Sequence, residues 1–253
     1  MINFVGAGPG ATDLITVRGL KLIENADVII YAGSLVNPAL LDNAKEGAEV
    51  FDSSKMTLEE VLDVMIPAAE AGKEVVRLHT GDASIYGAIR EQMDELDKKG
   101  ITYATCPGVS AAFGAASSLN LEYTLPGISQ TLIITRMAGK TAVPEKEKIE
   151  SLASHGSSMA IYLSSGMLEE LSKRLIAGGY SEDTPAALIY KATWPEEKRI
   201  VCTLKTLASE AAKENITKTA IVLVGDVISD SDYERSKLYD PEFTTEFRQG
   251  RKH

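Results

Sequence analysis

The loop Gly6-Ala7-Gly8-Pro9-Gly10 follows an apolar strand pattern and carries the first residues that could take part in chemistry. Glycines at such a turn let the backbone approach a ligand closely, as in the loops that hold the pyrophosphate of a dinucleotide. A dinucleotide site also needs an acidic residue at the end of the second strand, where it binds the ribose hydroxyls. Here the second strand carries Asp27 at its start and ends in Ala32-Gly33. Half of the dinucleotide pattern is therefore missing.

Two further glycine-containing loops also connect a strand to a helix. They are Thr80-Gly81-Asp82-Ala83-Ser84-Ile85-Tyr86-Gly87 and Cys106-Pro107-Gly108-Val109-Ser110. Backbone N–H groups at a helix start lack partners within the helix, so both loops offer hydrogen-bond donors. Asp82 is a candidate cap of the helix predicted over 84–98, and Ser110 is a candidate cap of the next helix. Three such turns at one edge of a sheet predict a ligand with several polar parts.

Arg77 and His79 alternate along the strand that enters the second loop, so they share one face of that strand. A lone strand histidine is more often a satisfied core residue, whereas an arginine is hard to bury without a partner. The histidines and the two cysteines, Cys106 and Cys202, lack the spacing of zinc ligands, so no metal site is predicted. We expect both cysteines to be buried free thiols.

The elements that must position these loops alternate between strand and helix in the first half of the chain. Strand patterns cover 2–7, 26–32, 48–52, 73–80 and 101–106. Helical periodicity covers 14–25, 37–45, 57–71 and 84–98, and residues 108–117 suit a close-packed helix. This alternation predicts a mostly parallel, Rossmann-like sheet that binds ligands at the carboxyl ends of its strands.

The second half of the chain is again α/β, but several of its strands follow one another without a helix. Strand patterns cover 131–137, 159–164, 185–193, 198–204 and 219–228, and helical patterns cover 167–178 and 205–214. A mixed sheet is therefore predicted. The turn-rich segment 118–130 has no periodicity. We therefore predict an N-terminal domain over 1–118 and a C-terminal domain over 119–253, which ends in a polar arm that is either solvated or packed on a partner subunit.

The composition excludes several classes of partner. The chain has 253 residues, a formal net charge of -10 and a pI of about 4.9, so nucleic acid and anionic membranes are not expected partners. Its apolar runs are shorter than the roughly 18 residues that span a bilayer. The chain starts with a strand pattern and not with a signal sequence. These features predict a cytoplasmic protein.

Taken together, the motifs resemble those of the tetrapyrrole methylase family, whose members use S-adenosyl-L-methionine to methylate porphyrinoid carbons. GAGPGATDLITVRG, TGDASIYG and PGVSAAF match the three signature loops of the family in order and spacing. Other segments, including DSSKMTLEE, YKATWPEEK and RSKLYDPEFTTEFRQG, are similar to the branch that methylates C-11 of precorrin-4, with or without cobalt. The resemblance implies a transferase of cobalamin biosynthesis, with two α/β domains, a ligand cleft between them and a homodimeric assembly.

The resemblance also implies which residues bind S-adenosyl-L-methionine and its product S-adenosyl-L-homocysteine. They are Pro9, Thr80, Gly81, Asp82, Ile85, Ser110, Ala111, Leu163 and Ala192. The family's Gly-Asp-Pro is Gly-Asp-Ala here, with Ala83 in place of proline, which loosens the turn but keeps Asp82. Relatives that methylate uroporphyrinogen carry an aspartate after the tyrosine of the second strand. This chain has Ala32 there, so no acid–base residue is assigned.

The expected chemistry is an in-line methyl transfer, which needs alignment and exclusion of water more than a strong base. No catalytic side chain is therefore assigned. A tetrapyrrole carries many carboxylates, which call for fixed cations around the ligand. We expect Lys55, Arg136 and Lys140 to contact them. Further candidates are Arg18, Arg77 and Lys191.

Three alternatives to C-11 methylation stay open. The chain could methylate another carbon of a precorrin or uroporphyrinogen-type tetrapyrrole. It could be a dinucleotide-dependent oxidoreductase, which the missing acidic residue and the two additional loops disfavour. It could also be a binding module that has kept the fold without the activity. Stabilisation by S-adenosyl-L-homocysteine but not by NAD(P) argues against the oxidoreductase, and a methyl-transfer assay tests the binding module.

Overall fold

The computed structural model describes residues 1–33, 35–229 and 232–251. The chain forms two compact units. The first contains Met1–Ala115 and Lys191–Glu197, and the second contains Ala116–Tyr190 and the described residues from Lys198 onward. The predicted boundary after residue 118 lies slightly beyond the first break between the units. No pattern in the sequence indicates that Lys191–Glu197 belongs to the first unit.

The first unit is built on a sheet of five parallel strands. The strands are β1 (Ile2–Gly6), β2 (Val28–Tyr31), β3 (Glu49–Asp52), β4 (Val75–His79) and β5 (Tyr103–Cys106). Their order is β3-β2-β4-β1-β5. Gly6 pairs with His79, and Val5 pairs with Cys106, so β1, β4 and β5 end side by side. The buried central strands explain the nearly continuous apolar runs in the sequence.

Helices cover both faces of this sheet. One face packs against α1 (Val17–Asn25) and a 3-10 helix at Pro38–Asn43, and the other packs against α2 (Leu58–Glu70) and α3 (Ile89–Lys98). Thr57 and Glu60 form a capping box that starts α2. This arrangement confirms the predicted Rossmann-like class, although β4 lies between β1 and β2 and not beyond β1 as in the usual order. The first break between the units falls within α4 (Ala111–Leu119).

The second unit contains the predicted mixed sheet. Its strands are β6 (Leu132–Arg136), β7 (Ser158–Tyr162), β8 (Pro185–Tyr190), β9 (Lys198–Thr203) and β10 (Ala220–Val224), in the order β6-β7-β10-β8-β9. β6 and β7 are parallel, and the other neighbours are antiparallel. One apolar core joins this sheet to α5 (Ile149–Ala153), α6 (Leu168–Ala177) and α7 (Leu207–Lys213). The helix α5 is not predicted by the sequence pattern.

The helix predicted over 84–98 begins only at Ile89, so its predicted start is wrong. Tyr86 and Ala88 have φ angles of 55° and 49°, left-handed values through which a right-handed helix does not continue. The segment before Ile89 therefore stays a loop. The end of the helix agrees with the prediction, because α3 ends at Lys98.

Candidate active site

The first two glycine-containing loops are hydrogen-bonded to each other at the carboxyl ends of β1 and β4. Gly8 donates its N–H to the carbonyl of Gly81 over 3.2 Å, and Gly81 donates to the carbonyl of Gly8 over 2.8 Å. Ala7 donates to the carbonyl of His79 over 2.7 Å. The two loops therefore form one continuous backbone surface at the edge where parallel sheets bind ligands.

The third loop joins them at Gly108, through an approach that only glycine permits. A Cβ atom on Gly108 would lie 2.2 Å from the carbonyl oxygen of Gly81, and a Cβ on Gly6 would lie 2.6 Å from the same oxygen. Both distances are shorter than real Cβ contacts. Gly81 itself adopts a φ of 60°, a conformation that favours glycine. Close packing of three loops explains these glycines without any phosphate contact.

Asp82 links the second loop to the third. Its Oδ2 accepts a hydrogen bond from the N–H of Gly108 over 2.8 Å, and its Oδ1 accepts from the N–H and the hydroxyl of Ser84. Burial raises the pKa of Asp82, but the hydrogen bonds from Ser84 and Gly108 outweigh burial and hold the pKa below its ordinary value. Asp82 is thus a fixed carboxylate. It does not cap α3, contrary to the sequence prediction, because α3 starts only at Ile89.

Trp194 packs on the first loop from a distant part of the chain. Its indole Nε1–H donates to the carbonyl of Pro9 over 3.0 Å, and the Oγ1 of Thr193 accepts from the N–H of Ala11 over 2.9 Å. A Cβ on Gly10 would lie only 2.1 Å from the indole Cδ1. Gly10 is therefore required because the indole fills the space of a side chain. No sequence pattern indicates this contact.

Eight of the nine predicted cofactor residues lie in the first unit. These are Pro9, Thr80, Gly81, Asp82, Ile85, Ser110, Ala111 and Ala192. They belong to the three joined loops, the start of α4 and the segment that contains Trp194. Leu163 belongs to the second unit, where it directly follows β7, is 65% exposed and has a φ of 53°. The binding roles of all nine residues stay predictions.

A cavity of 290 Å³ lies in the first unit, lined by residues from the end of β4, the start of α2 and the loop before α3. Arg77 and His79 both line it, so the prediction that they share a face is confirmed. They are only 7% and 5% exposed. Arg77 donates from Nε to Oε1 of Gln92 over 3.3 Å and from Nη1 to the carbonyl of Ile30 over 3.2 Å. Gln92, which lies on α3 one turn after its start, has no signal in the sequence pattern.

Burial controls the protonation of this pair. Desolvation lowers the pKa of Arg77 to about 10, which leaves a cation at neutral pH. Desolvation, with a smaller contribution from the charge of Arg77, lowers the pKa of His79 to about 3, so the imidazole is neutral. Within the described residues, the buried Nε2 of His79 has no hydrogen-bond partner. The expectation of a satisfied core histidine is therefore wrong.

The predicted substrate cations differ in what they already contact. Lys55 ends a 3-10 helix after β3 and is exposed, and Lys140 is exposed in the loop after β6. Arg136, at the end of β6, donates to three backbone carbonyls of that same loop, those of Met137, Thr141 and Ala142. Arg136 thus holds its own loop, which the sequence pattern does not reveal. Contact of these three residues with a substrate stays a prediction.

Asp27 occupies the edge of the first sheet opposite to the loops. Just before β2, its carboxylate accepts hydrogen bonds from the ammonium of Lys45 over 2.6 Å and from the N–H of Glu74 over 2.7 Å. These two hydrogen bonds lower its pKa. Since all strands of this sheet are parallel, their amino ends lie away from the loops, so Asp27 cannot bind a ribose there. This position argues against a dinucleotide site.

Other features concern metal, membrane and thiol chemistry. Across residues 1–33, 35–229 and 232–251, no three His, Cys, Asp or Glu side chains are grouped as metal ligands. In the same part of the chain, every helix is too short or too polar to cross a membrane. Both cysteines are free, but only Cys106 is buried; Cys202 is half-buried, contrary to the expectation.

Comparison with known proteins identifies relatives along the whole chain. Residues 1–208 match the profile of the Tetrapyrrole (Corrin/Porphyrin) Methylases. The chain is 55% identical over 251 residues to a cobalt-precorrin-4 C(11)-methyltransferase of Methanocaldococcus jannaschii, which covers 99% of this chain and 97% of the relative. It is 47% identical over 253 residues to one of Priestia megaterium, with 98% of each chain covered.

A solved structure shows the same fold. This structure is of a cobalamin biosynthetic enzyme, cobalt precorrin-4 methyltransferase, and it has a TM-score of 0.88 and 45% sequence identity to this chain. The match covers 90% of this chain and 95% of that one. Sequence, loop arrangement and fold agree, and the chain belongs to the tetrapyrrole (corrin/porphyrin) methylase family.

Proposed function

We propose that the chain transfers a methyl group from S-adenosyl-L-methionine to C-11 of cobalt-precorrin-4 or precorrin-4 in cobalamin biosynthesis. The observation that carries the proposal is the full-length similarity to cobalt-precorrin-4 C(11)-methyltransferases. The geometry supports it, because the three loops that carry the family motifs join into one surface at the ligand-binding edge of a parallel sheet.

The residues of the joined loops fit the proposed cofactor. S-adenosyl-L-methionine, when bound, supplies a methyl group that is already activated on a sulfonium. Asp82 retains acceptor capacity, because Oδ2 receives a single hydrogen bond from the described residues, that of Gly108, and an oxygen of a carboxylate accepts two. A Cβ on Gly114 would lie 2.8 Å from the Cβ of Pro9, so the Pro9 ring packs firmly against α4. Pro9 has no N–H and presents an apolar wall, which suits a nucleoside and not a pyrophosphate.

The contribution of this chain to the reaction is then orientation and exclusion of water. Hydrogen bonds between Gly8 and Gly81, and between Asp82 and Gly108, hold three loops in one geometry before a ligand arrives. A preformed surface of this kind lowers the entropic cost of aligning two reactants. The half-buried indole of Trp194 shields the carbonyl of Pro9 and Gly10 from water.

Two finer features of the proposal come from the family resemblance. We infer a homodimer in the cytoplasm. Light scattering of the purified chain tests the assembly, since a homodimer has twice the 27.2 kDa mass of the chain. A monomer at micromolar concentration contradicts this part of the proposal and leaves the methyl transfer untouched.

A methyl-transfer assay tests the activity. The chain is incubated with methyl-labelled S-adenosyl-L-methionine and with either cobalt-precorrin-4 or precorrin-4, and the product is mapped by NMR. We expect one labelled methyl on C-11 and an equal amount of S-adenosyl-L-homocysteine. A label on another carbon identifies the alternative methylation position, and no transfer to either substrate rejects the proposal. The ratio of kcat/KM between the two substrates shows whether cobalt is required.

A further inference from the structure

We propose that the cavity lined by Arg77 and His79 is an anion subsite, which receives one peripheral carboxylate of the tetrapyrrole. The identity of the ligand rests on the proposed function. The existence of an anion site does not, because it follows from the contacts of Arg77.

Arg77 is a buried cation whose donors are only partly used. A guanidinium has five N–H donors, and the two hydrogen bonds of Arg77 engage Nε and Nη1. Its Nη2 makes no hydrogen bond within the described part of the chain, where Arg77 also has no carboxylate partner. A buried guanidinium without a counter-ion is unfavourable. Its side chain is therefore suited to an anion that comes from outside the chain.

Gln92 fixes the guanidinium without neutralising it. Its Oε1 accepts from Nε of Arg77, and its Nε2 donates to the carbonyl of Ala88 over 3.0 Å. Gln92 is only 4% exposed, so both ends of its amide are committed to these contacts. A glutamate has nearly the same shape and would supply the missing negative charge. The amide at this position holds Arg77 in place and leaves its charge available.

The rest of the cavity suits a carboxylate on a short apolar stem. Its apolar lining includes Met56, Leu58 and Val61. The neutral imidazole of His79 offers one N–H donor. The volume of 290 Å³ is several times the roughly 30 Å³ that one water occupies, so a carboxylate with its methylene groups fits. Glu91, which also lines the cavity, is exposed and forms no ion pair with Arg77 among the described residues.

The test compares Arg77→Gln, Gln92→Glu and the control Arg90→Gln. Arg90 lies on the same helix as Gln92 but is exposed and pairs with Asp94. In Arg77→Gln we expect KM for the tetrapyrrole to rise about ten- to a hundredfold, the usual effect of losing a hydrogen bond to a charged group. Affinity for S-adenosyl-L-homocysteine stays unchanged. Gln92→Glu raises KM similarly, because Arg77 gains a counter-ion, although the glutamate loses the hydrogen bond that Nε2 of Gln92 donates to the carbonyl of Ala88. Arg90→Gln changes neither KM nor cofactor affinity.

A second measurement is independent of methyl transfer. Sodium propionate and inorganic phosphate are added at equal ionic strength, and Tm is followed. We expect propionate to raise the Tm of the unmodified chain but not that of Arg77→Gln or Gln92→Glu. If Arg77→Gln fails to fold, Gln92→Glu carries the test, because it keeps Arg77.

The possible results distinguish a failure of the proposed subsite from a failure of the proposed function. If the unmodified chain methylates the tetrapyrrole while both variants keep its KM and its response to propionate, the subsite is wrong and the function stands. Protection by phosphate but not by propionate overturns a carboxylate site. If no tetrapyrrole is methylated but propionate still protects through Arg77, the carboxylate site stands and its assignment to the tetrapyrrole fails.

Discussion

The two units bury different kinds of polar side chain. Among the described residues, those of the first unit are Asn3, Arg77, His79, Gln92 and Ser110, whereas those of the second unit are all serine or threonine. In the second unit, Ser158 donates to the carbonyl of Tyr123 and Ser164 to that of Tyr162, both over 2.8 Å. Ser172 is an exception, since its hydroxyl has no hydrogen-bond partner in the part of the chain that the structure describes. Most buried hydroxyls of the second unit thus satisfy its own backbone.

Two arginines make the contrast sharper. Arg136, in the second unit, gives hydrogen bonds to three backbone carbonyls of one loop. Arg77, in the first unit, gives two, and its Nη2 makes none among the described residues. The sequence presents both as cations that could bind a substrate carboxylate. The hydrogen bonds already made inside the chain distinguish an arginine that holds the fold from one that is available to a ligand.

The strongest test of this contrast is Gly108→Ala in the first unit. The added Cβ would lie 2.2 Å from the carbonyl oxygen of Gly81, so the loops must separate. We expect affinity for S-adenosyl-L-homocysteine to fall about a hundredfold, because several contacts worth about 1 kcal/mol each are lost together. Calorimetry measures it. The control is Gly139→Ala in the second unit, where the nearest atom to the added Cβ is 3.7 Å away. Equal affinities of the two variants would contradict the role of loop packing.

Asp82→Ala should have the next largest effect. The substitution removes the acceptor of hydrogen bonds from Gly108 and Ser84. We expect the affinity for S-adenosyl-L-methionine to fall at least tenfold in a folded protein, since loss of a hydrogen bond to a charged group costs about 1.5–3 kcal/mol. Ser84→Ala, which keeps the link between Asp82 and Gly108, should lose much less. Unchanged affinity of a folded Asp82→Ala variant by calorimetry removes Asp82 from the site.

The burial of His79 predicts how the stability of the first unit changes at low pH. Burial lowers its pKa to about 3 from 6.5, so between these values the unfolded chain binds more protons than the folded one. The neutral imidazole makes its full contribution to the free energy of unfolding above pH 6.5. As pH falls from 6.5 toward 3, the free energy of unfolding decreases by up to about 1.4 kcal/mol per pH unit. His79→Gln should remove this dependence, and the exposed His155→Gln should keep it. Denaturant unfolding between pH 4.5 and 7 measures both. If the free energy of unfolding changes with pH in the same way for His79→Gln and for the unmodified chain, the burial of His79 is not the cause of the pH dependence.

The smallest expected effect is that of Trp194→Phe. The ring still covers Gly10, but the hydrogen bond to Pro9 is lost, which costs about 1 kcal/mol of stability. Cofactor affinity should fall about two- to threefold. Tyr180→Phe in the second unit removes a comparable bond to the carbonyl of Ser157, so it should cost similar stability and leave cofactor affinity unchanged. A loss of affinity in both variants would mean that general destabilisation, and not the local contact, is responsible.

Much of the fold follows from local patterns in the sequence. The alternation of strand and helix predicts the parallel sheet, and parallel strands bring the three loops to one edge. The start of α3 is not predictable in this way, because the left-handed conformations of Tyr86 and Ala88 depend on their surroundings and not on residue type. The five-residue helix α5 is too short to show a period.

The contacts within the site are less predictable than its location. Asp82 looks like a helix cap in the sequence, but it reaches Gly108 in the structure. Likewise, Arg136 looks free for a ligand, but its own loop uses its guanidinium. Both sets of contacts depend on where the neighbouring loops place their backbone groups around a side chain. Residue spacing indicates which loops meet and carries no information about which donors remain available.

The position of Trp194 in the chain has a consequence for how the protein is made. Thr193 and Ala11 are hydrogen-bonded across 182 residues, and residues 116–190 are synthesised between them. During translation, the first five strands can therefore pair long before the indole reaches Gly10. Non-local contacts of this kind are slow to form because a long loop must close first. The first unit can therefore begin to fold first but is completed only after residues 116–190 of the second unit have been synthesised, and translation that stops before residue 194 leaves its first loop without this contact.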